Sequence, residues 1–326
     1  MLNNKTILIT GGTGSFGRKF AEIVLSRYEP HKLIVFSRDE QKQYEMAQIY
    51  SDKRYPSVRY FIGSVRDKER LHRALQNVDY VVHAAALKHI PSAEYNPTEY
   101  IQTNVYGAQN LINVAADRRV KKVIALSTDK AVSPINLYGA TKLCSDKLFV
   151  AANQFVSQDQ TKFSVVRYGN VVGSRGSVIP YFLKIRDQGV LPITDPRMTR
   201  FWITLEQGVN FVLQCLEMME GGEVFIPRIP SMSIMDLAQA IGPECRTELV
   251  GIRPGEKLHE VMITPDDSRN TLEFDDYFVI LPAFDHVNEK YLDKGGRPVP
   301  EDFEYSSGKN DWWLTDGDLQ AMIADL

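Results

Sequence analysis

Short apolar runs alternate with amphipathic stretches along the first half of the chain. The runs KTILIT, KLIVF, YFIG, VDYVVHAAA, KKVIALST and KFSVV read as buried strands bounded by polar or glycine-containing segments. Between them, FAEIVLSRY, KERLHRAL and PTEYIQTNVYGAQNLINVAADRR read as helices, the last as one long helix carrying Asn104. Strands alternating with helices predict an α/β fold, a Rossmann-like doubly wound parallel sheet covered on both faces. Farther on, LEQGVNFVLQCLEMME has helical spacing and GEVFIP reads as a strand, and both are expected to return to that sheet. The main domain is therefore expected to be discontinuous, residues 1–168 plus about 204–228. A smaller, mainly C-terminal region, residues 169–203 plus 229–326, would hold the helix MSIMDLAQAIG and the strand DYFVIL. Trp312 and Trp313, in the polar and aromatic tail, are expected to pack against the body.

At 326 residues and 44% hydrophobic content the chain can bury a large core. Its formal net charge of -3, from 38 basic and 41 acidic residues, gives no general field for nucleic acid or an anionic membrane. An anionic ligand has to be held locally. Cys144, Cys215 and Cys245 lack ligand-like spacing, so buried thiols in a reducing, cytoplasmic setting are expected, with neither disulfide framework nor zinc site. The N-terminus shows no signal pattern, and no stretch is long and apolar enough to span a bilayer.

Candidate chemistry begins directly after the first strand. In TGGTGSFG, Gly11, Gly14 and Gly17 form a turn leading into a helix, so backbone amides can meet a pyrophosphate that glycine lets approach. The second strand ends at Ser37, Arg38 and Asp39. Ser37 stands where an acid would take a ribose hydroxyl, and a guanidinium beside it suits a 2′-phosphate, which favours NADP. Asp39 as a ribose ligand keeps NAD open. The third strand ends at Ser64, Val65 and Asp67. Ala84 to Ala86 close the fourth, where small side chains leave room for a cofactor or merely pack tightly, and Lys88 and His89 follow in a polar loop.

The richest stretch is STDKAVSPINLYGATK. Tyr138 and Lys142 are four residues apart, so on a helix the ammonium neighbours the phenol and favours its ionised form. Ser127 and Thr128 end the preceding strand, and a hydroxyl there can share a proton with the same phenol. Asp129 and Lys130 add an acid and a second amine. Tyr-x-x-x-Lys alone recurs by chance; its place after a strand gives it weight. Asn170 sits where the sixth strand breaks into a glycine-rich loop. Arg197, Thr199 and Arg200, and later Arg253, Glu256 and Lys257, suit either a phosphorylated ligand or ordinary surface pairing.

TGGTGSFG, STDK, YGATK, RYGNVVGSRGSV, TDPRMTRF and RPGEKLHE, in this order, resemble the extended short-chain dehydrogenase/reductase superfamily. Within it they resemble the inverting UDP-N-acetylglucosamine 4,6-dehydratases that open pseudaminic acid biosynthesis, and the resemblance runs from end to end. Asp129-Lys130 is its discriminating part, because retaining dehydratases carry an Asp-Glu pair there. Ser64 departs from it, since relatives commonly have an aspartate at that position. The resemblance implies NADP held by Thr13, Gly14, Ser15 and Phe16, by Ser37 through Lys42, and by Ser64, Val65, Ala84, Lys88, Tyr138 and Lys142. It implies a UDP-sugar held by Asn170, Val178, Thr199, Arg253 and Glu256, with Thr128 and Lys88 also within reach of it. Lys130 would be the base at C5, Asp129 the acid at C6, and Tyr138, activated by Lys142, the base at the 4-hydroxyl. An ammonium at Lys130 is expected to be destabilised by Lys142 and by the oxidised nicotinamide. No metal is needed, and a homo-oligomer, a hexamer in this branch, is implied. The rival readings are a retaining dehydratase, a 4-epimerase, or a non-catalytic NADP-binding relative.

Overall fold

The first strand, β1 (Thr6–Thr10), is buried at every position, as a strand covered on both faces must be. The computed structural model describes residues 1–156, 160–174, 176–283 and 287–324. Next come α1 (Ser15–Arg27), β2 (Lys32–Ser37), α2 (Glu40–Ile49), β3 (Val58–Ile62), α3 (Lys68–Ala74), β4 (Tyr80–His83), β5 (Lys122–Thr128) and β6 (Lys162–Tyr168). The six strands are parallel, in the order β3-β2-β1-β4-β5-β6. Leu8 of β1 sits opposite Ile34 of β2 on one side and Val81 of β4 on the other. Because the chain runs outward in both directions from β1, a crevice opens at the carboxyl ends of β1 and β4, the place where such sheets take ligands. α1 closes one face by burying Phe20, Ala21, Ile23 and Val24, of which Phe20 and Val24 each contribute roughly 1.5–3 kcal/mol by leaving water.

The strand Val224–Pro227 extends the sheet in parallel beside β6, as GEVFIP predicts. The strand Tyr277–Ile280 departs from expectation. Grouped with the smaller region from sequence, it instead runs antiparallel along Val224–Pro227, Phe225 opposite Val279, inside the main sheet. Its first three residues are buried, and so apolar a run needs a covered edge to sit on. Thr271–Glu273 and Arg297–Pro298 follow outward, completing ten strands among the described residues.

The long helix expected across residues 97–119 is interrupted. Its middle, Ile101–Tyr106, is a π-helix leading into the α-helix Gly107–Asp117. The bulge presents Asn104, whose side chain accepts from Leu87 N and donates to Leu87 O, both at 2.9 Å, and to Thr141 Oγ1 at 3.0 Å. One buried amide thus ties the loop after β4 to the helix Leu137–Ala152.

A second core lies over the strand ends, built from Ile179, Phe182, Leu191, Ile193, Trp202, Leu237 and Leu319. Its three-stranded sheet joins Ser231–Ser233, Thr199–Ile203 and Asn170–Val171. Two expectations fail here and nearby. Trp312 and Trp313 are 51% and 41% exposed: the backbone of Trp312 and Leu314 is bonded to Ser231, and the Trp313 ring reaches only as far as the nearby Asn310 carbonyl, to which its Nε1 donates. Of the cysteines only Cys215 is buried; Cys144 is exposed on its helix, and Cys245, in the turn before the strand Arg246–Leu249, packs partly buried against the second core. Among the described residues no helix is long and apolar enough to cross a membrane.

Candidate active site

At the crevice, Gly11 has φ +65 and lies against Ala84: a Cβ on Gly11 would come within 2.9 Å of the Ala84 carbonyl. A Cβ on Gly17 would strike the backbone of Gly12, which packs α1 tightly onto the turn. The N-cap of α1 is Gly14, with no side chain to close the first amides, and Ser15, Phe16 and Gly17 open the helix. Thr13 is buried, and its carbonyl accepts from Arg18 Nε. This cradle of amides and missing side chains fits a dinucleotide pyrophosphate.

At the end of β2 the buried Ser37 hydroxyl accepts from Gln43 Nε2 at 3.1 Å, while Arg38 is exposed. Asp39 caps α2, accepting from Lys42 N at 3.0 Å, and pairs with Lys42 Nζ at 2.6 Å. The Ser64 hydroxyl closes its own turn by accepting from Arg66 N, and Val65 is buried against Gly107.

The strand β5 delivers Thr128, which caps the single turn Asp129–Ala131. Asp129 is fully buried. Its Oδ1 accepts from Thr128 Oγ1 at 2.9 Å and from Lys130 Nζ at 3.0 Å, while Oδ2 has no hydrogen-bond partner among the described residues. Lys130 Nζ also donates to Asn170 Oδ1 at 3.2 Å and lies 3.3 Å from Glu260 Oε1. Tyr138 enters from the helix Leu137–Ala152, whose N-cap Asn136 accepts from Gly139 N at 2.7 Å. Gly139 is needed there because a Cβ would strike the Lys130 carbonyl. Gly139→Ala is expected to push the Asp129–Ala131 turn aside and to cost about 1–3 kcal/mol, read from the denaturation midpoint.

The charges around this cluster correct two expectations. Burial pushes the Tyr138 phenol up to about 12, with Asp129 adding to the rise and Lys130 and a Thr128 hydrogen bond opposing it. The cation that chiefly favours the phenolate is therefore Lys130. Lys142 is turned away, donating to Leu126 O at 2.8 Å, and burial lowers its own pKa against the pull of Asp146. Lys130 was expected to have a destabilised ammonium. Burial does act that way, but the carboxylates of Asp129 and Glu260 outweigh it and hold its pKa above the ordinary value. Lys88, at the exposed rim, is lowered by loss of solvent around its ammonium and by the Lys130 charge.

The remaining residues divide. Asn170 joins the cluster, and the half-buried Val178 opens the helix Val178–Ile185. The Thr199 hydroxyl is taken up by His259 Nδ1 and Ser307 Oγ, each at 2.8 Å. Arg197 faces outward onto Asp195, whereas Arg200 turns inward and donates to the carbonyls of Thr199, Lys257 and Leu258, so the two do not form one phosphate fork. Arg253 stands exposed at the rim, 3.8 Å from Glu256, whose Oε2 is buried and unbonded among the described residues. That loop docks on the Tyr138 helix through Asn136 Nδ2, which donates to Gly255 O at 2.8 Å. Glu260 was not singled out from sequence. Its signal was an acid immediately before the apolar run VMI, which places a carboxylate where burial demands a cation.

A parallel sheet with a glycine cradle at its crevice, and a buried Tyr-Asp-Lys cluster at the next strand end, define a member of the short-chain dehydrogenase/reductase class. The chain belongs to the polysaccharide biosynthesis protein family, whose model matches residues 7–282. It is 56% identical, over 99% of this chain and 98% of the relative, to UDP-N-acetylglucosamine 4,6-dehydratase (inverting) of Campylobacter jejuni subsp. jejuni. The resemblance read from the motifs therefore holds. It is also 40% identical, over 94% of this chain and 92% of the relative, to UDP-glucose 4-epimerase of Rickettsia canadensis. The X-ray structure of Pen from Bacillus thuringiensis superposes with a TM-score of 0.90 at 36% identity, covering 100% of this chain and 98% of that one.

Proposed function

We propose that the chain carries out NADP-dependent 4,6-dehydration of UDP-N-acetylglucosamine with inversion at C5. The product would be UDP-2-acetamido-2,6-dideoxy-β-L-arabino-hex-4-ulose, the entry to pseudaminic acid. The observation that carries this reading is Lys130 Nζ, held between Asp129 and Asn170 at the strand end beside Tyr138. When bound, NADP supplies a hydride acceptor that takes hydrogen from C4 and returns it to C6.

Each remaining step falls to a residue of this chain. Tyr138 removes the 4-hydroxyl proton, which makes C4 a ketone and the C5 hydrogen acidic. Lys130 takes that hydrogen as a proton, and Asp129 gives one to the departing C6 hydroxyl, which leaves as water. Those roles need an amine and a carboxylic acid. The 3.0 Å contact between them lets one proton pass from Lys130 to Asp129, turning the resting ion pair into that reactive pair. Elimination then restores the ion pair. Asp129 Oδ2, which has no hydrogen-bond partner among the described residues, is the oxygen left to meet the C6 hydroxyl. A proton reaching C5 from the face opposite Lys130 inverts the centre, and it balances the one Tyr138 removed from O4.

For the cofactor, Asp39 is occupied at the head of α2 while Arg38 is exposed beside Ser37, which supports a 2′-phosphate and hence NADP. Arg38→Ala is expected to weaken NADP binding by roughly 10–100-fold and to leave NAD nearly unchanged, measured by titration calorimetry. Equal losses for both cofactors would remove the assignment.

Incubation with UDP-N-acetylglucosamine and NADP in deuterated water, followed by NMR, tests the whole reading. A new C6 methyl signal with deuterium at C5 and L-arabino geometry is expected. Retained C5 configuration would make the chain a retaining dehydratase, and a C4 epimer would place it with the relatives named as epimerases.

A further inference from the structure

Glu260 is 2% exposed and lies just before the strand Val261–Ile263. Its backbone is fixed from both directions, Glu260 N donating to Ser307 Oγ at 2.9 Å and Ser307 N to Glu260 O at 2.8 Å. The side chain is thus pinned with Oε1 3.3 Å from Lys130 Nζ, while Oε2 accepts no hydrogen bond among the described residues. A buried carboxylate is costly unless paired with cations. Here Arg200 Nε and Lys257 Nζ stand farther off, each at 3.9 Å, and both are held by backbone carbonyls: Arg200 by those of Thr199, Lys257 and Leu258, Lys257 by that of Val132. Among the described residues Lys130 is therefore the nearest cation to Glu260, and the acid–base steps above leave Glu260 without a task.

Among the described residues the charged and titratable groups around Lys130 are Asp129 on its own turn, Glu260, Arg200 from the strand Thr199–Ile203, Lys257, Lys88 from the loop after β4, and Tyr138. If Glu260 were neutral, three cations would confront the Lys130 ammonium with Asp129 as its only counter-charge among the described residues. We propose that Glu260 is a positioning residue that acts through Lys130, holding its amine beside Asn170 and keeping it protonated until the proton passes to Asp129. The proposal rests on the reading of Lys130 as the C5 base. Glu260 acts through its 3.3 Å contact with Lys130 Nζ: it fixes where that nitrogen stands and at what pH it becomes a free amine.

The test reads Lys130 directly. Neutral amines react with acetic anhydride and ammonium ions do not, so the extent of Lys130 acetylation against pH, followed by mass spectrometry of its peptide in the full chain, gives its titration midpoint. Removing an anion this close is expected to move the midpoint in Glu260→Gln down by about 1–3 pH units. In turnover of UDP-N-acetylglucosamine, kcat is expected to fall and its pH profile to shift the same way, with KM unchanged. An unmoved midpoint in a folded Glu260→Gln protein overturns the proposal. Should that variant fail to fold, Glu260→Asp decides: it draws the carboxylate back by one methylene, so a smaller downward shift supports the proposal and none overturns it. If the midpoint moves but the wild-type protein leaves UDP-N-acetylglucosamine unaltered, the dehydratase reading fails and the placement of Glu260 against Lys130 stands.

Discussion

Lys130→Met is expected to lower formation of the 4-keto-6-deoxy product by about 10²–10⁴-fold, the usual contribution of a positioned general base. Exchange of the C5 hydrogen with deuterated water should fall in parallel, because Lys130 Nζ is the amine that the structure sets against both Asp129 and Asn170. Removal of hydride from C4 should survive and appear as a single turnover of reduced-cofactor absorbance, since that step belongs to Tyr138. Methionine keeps the length and apolar stem of lysine, so the change is mainly one of charge. It still leaves Asp129 fully buried without its cation, a situation that costs about 3–5 kcal/mol when the orphaned partner stays charged. A denaturation midpoint must therefore accompany the rates, so that lost chemistry is not confused with lost folding. C5 exchange at the wild-type rate in a folded variant would remove Lys130 from the mechanism. Another group would then have to be the base at C5, because continued exchange requires one.

What could be read from sequence was local. The cradle around Gly11 and Gly14, the strand ending at Thr128, and the Asp129-Lys130 and Tyr138-Lys142 pairs each lie within one turn or one helix, where spacing fixes geometry. What could not be read was set by packing between distant segments. Lys142 was expected to serve Tyr138 because i and i+4 share a helix face, but the backbone carbonyl of Leu126 on β5 captures its ammonium. Glu260 meets Lys130 only because the chain after Arg253 folds back onto the Tyr138 helix through Asn136. Tyr277–Ile280 had the pattern of a strand, yet its place in the main sheet depended on the open edge of Val224–Pro227. The π-helix at Ile101–Tyr106 left no mark in hydrophobic spacing, although it carries the Asn104 side chain that fastens Leu87 to Thr141.

Tyr138→Phe is expected to reduce turnover by a comparable factor, about 10²–10⁴-fold, but at the opposite end of the reaction. Without the phenol the 4-hydroxyl keeps its proton, C4 is not oxidised, and C5 never becomes acidic. Reduced cofactor and C5 exchange should therefore both disappear, whereas Lys130→Met spares the first. The pH dependence gives an independent check. Burial holds the Tyr138 phenol up at about 12 in the ligand-free chain, so the active phenolate grows as pH rises and the rate of C4 oxidation should climb with it. Lys130 is the main charge opposing that rise, so its removal should move the climb to still higher pH, while Tyr138→Phe should abolish it. A single-turnover rate of C4 oxidation in Lys130→Met that climbs at a lower pH than in the wild-type chain would contradict the placement of these two charges. A Tyr138→Phe protein that retains the wild-type climb would show that another group takes the proton from O4.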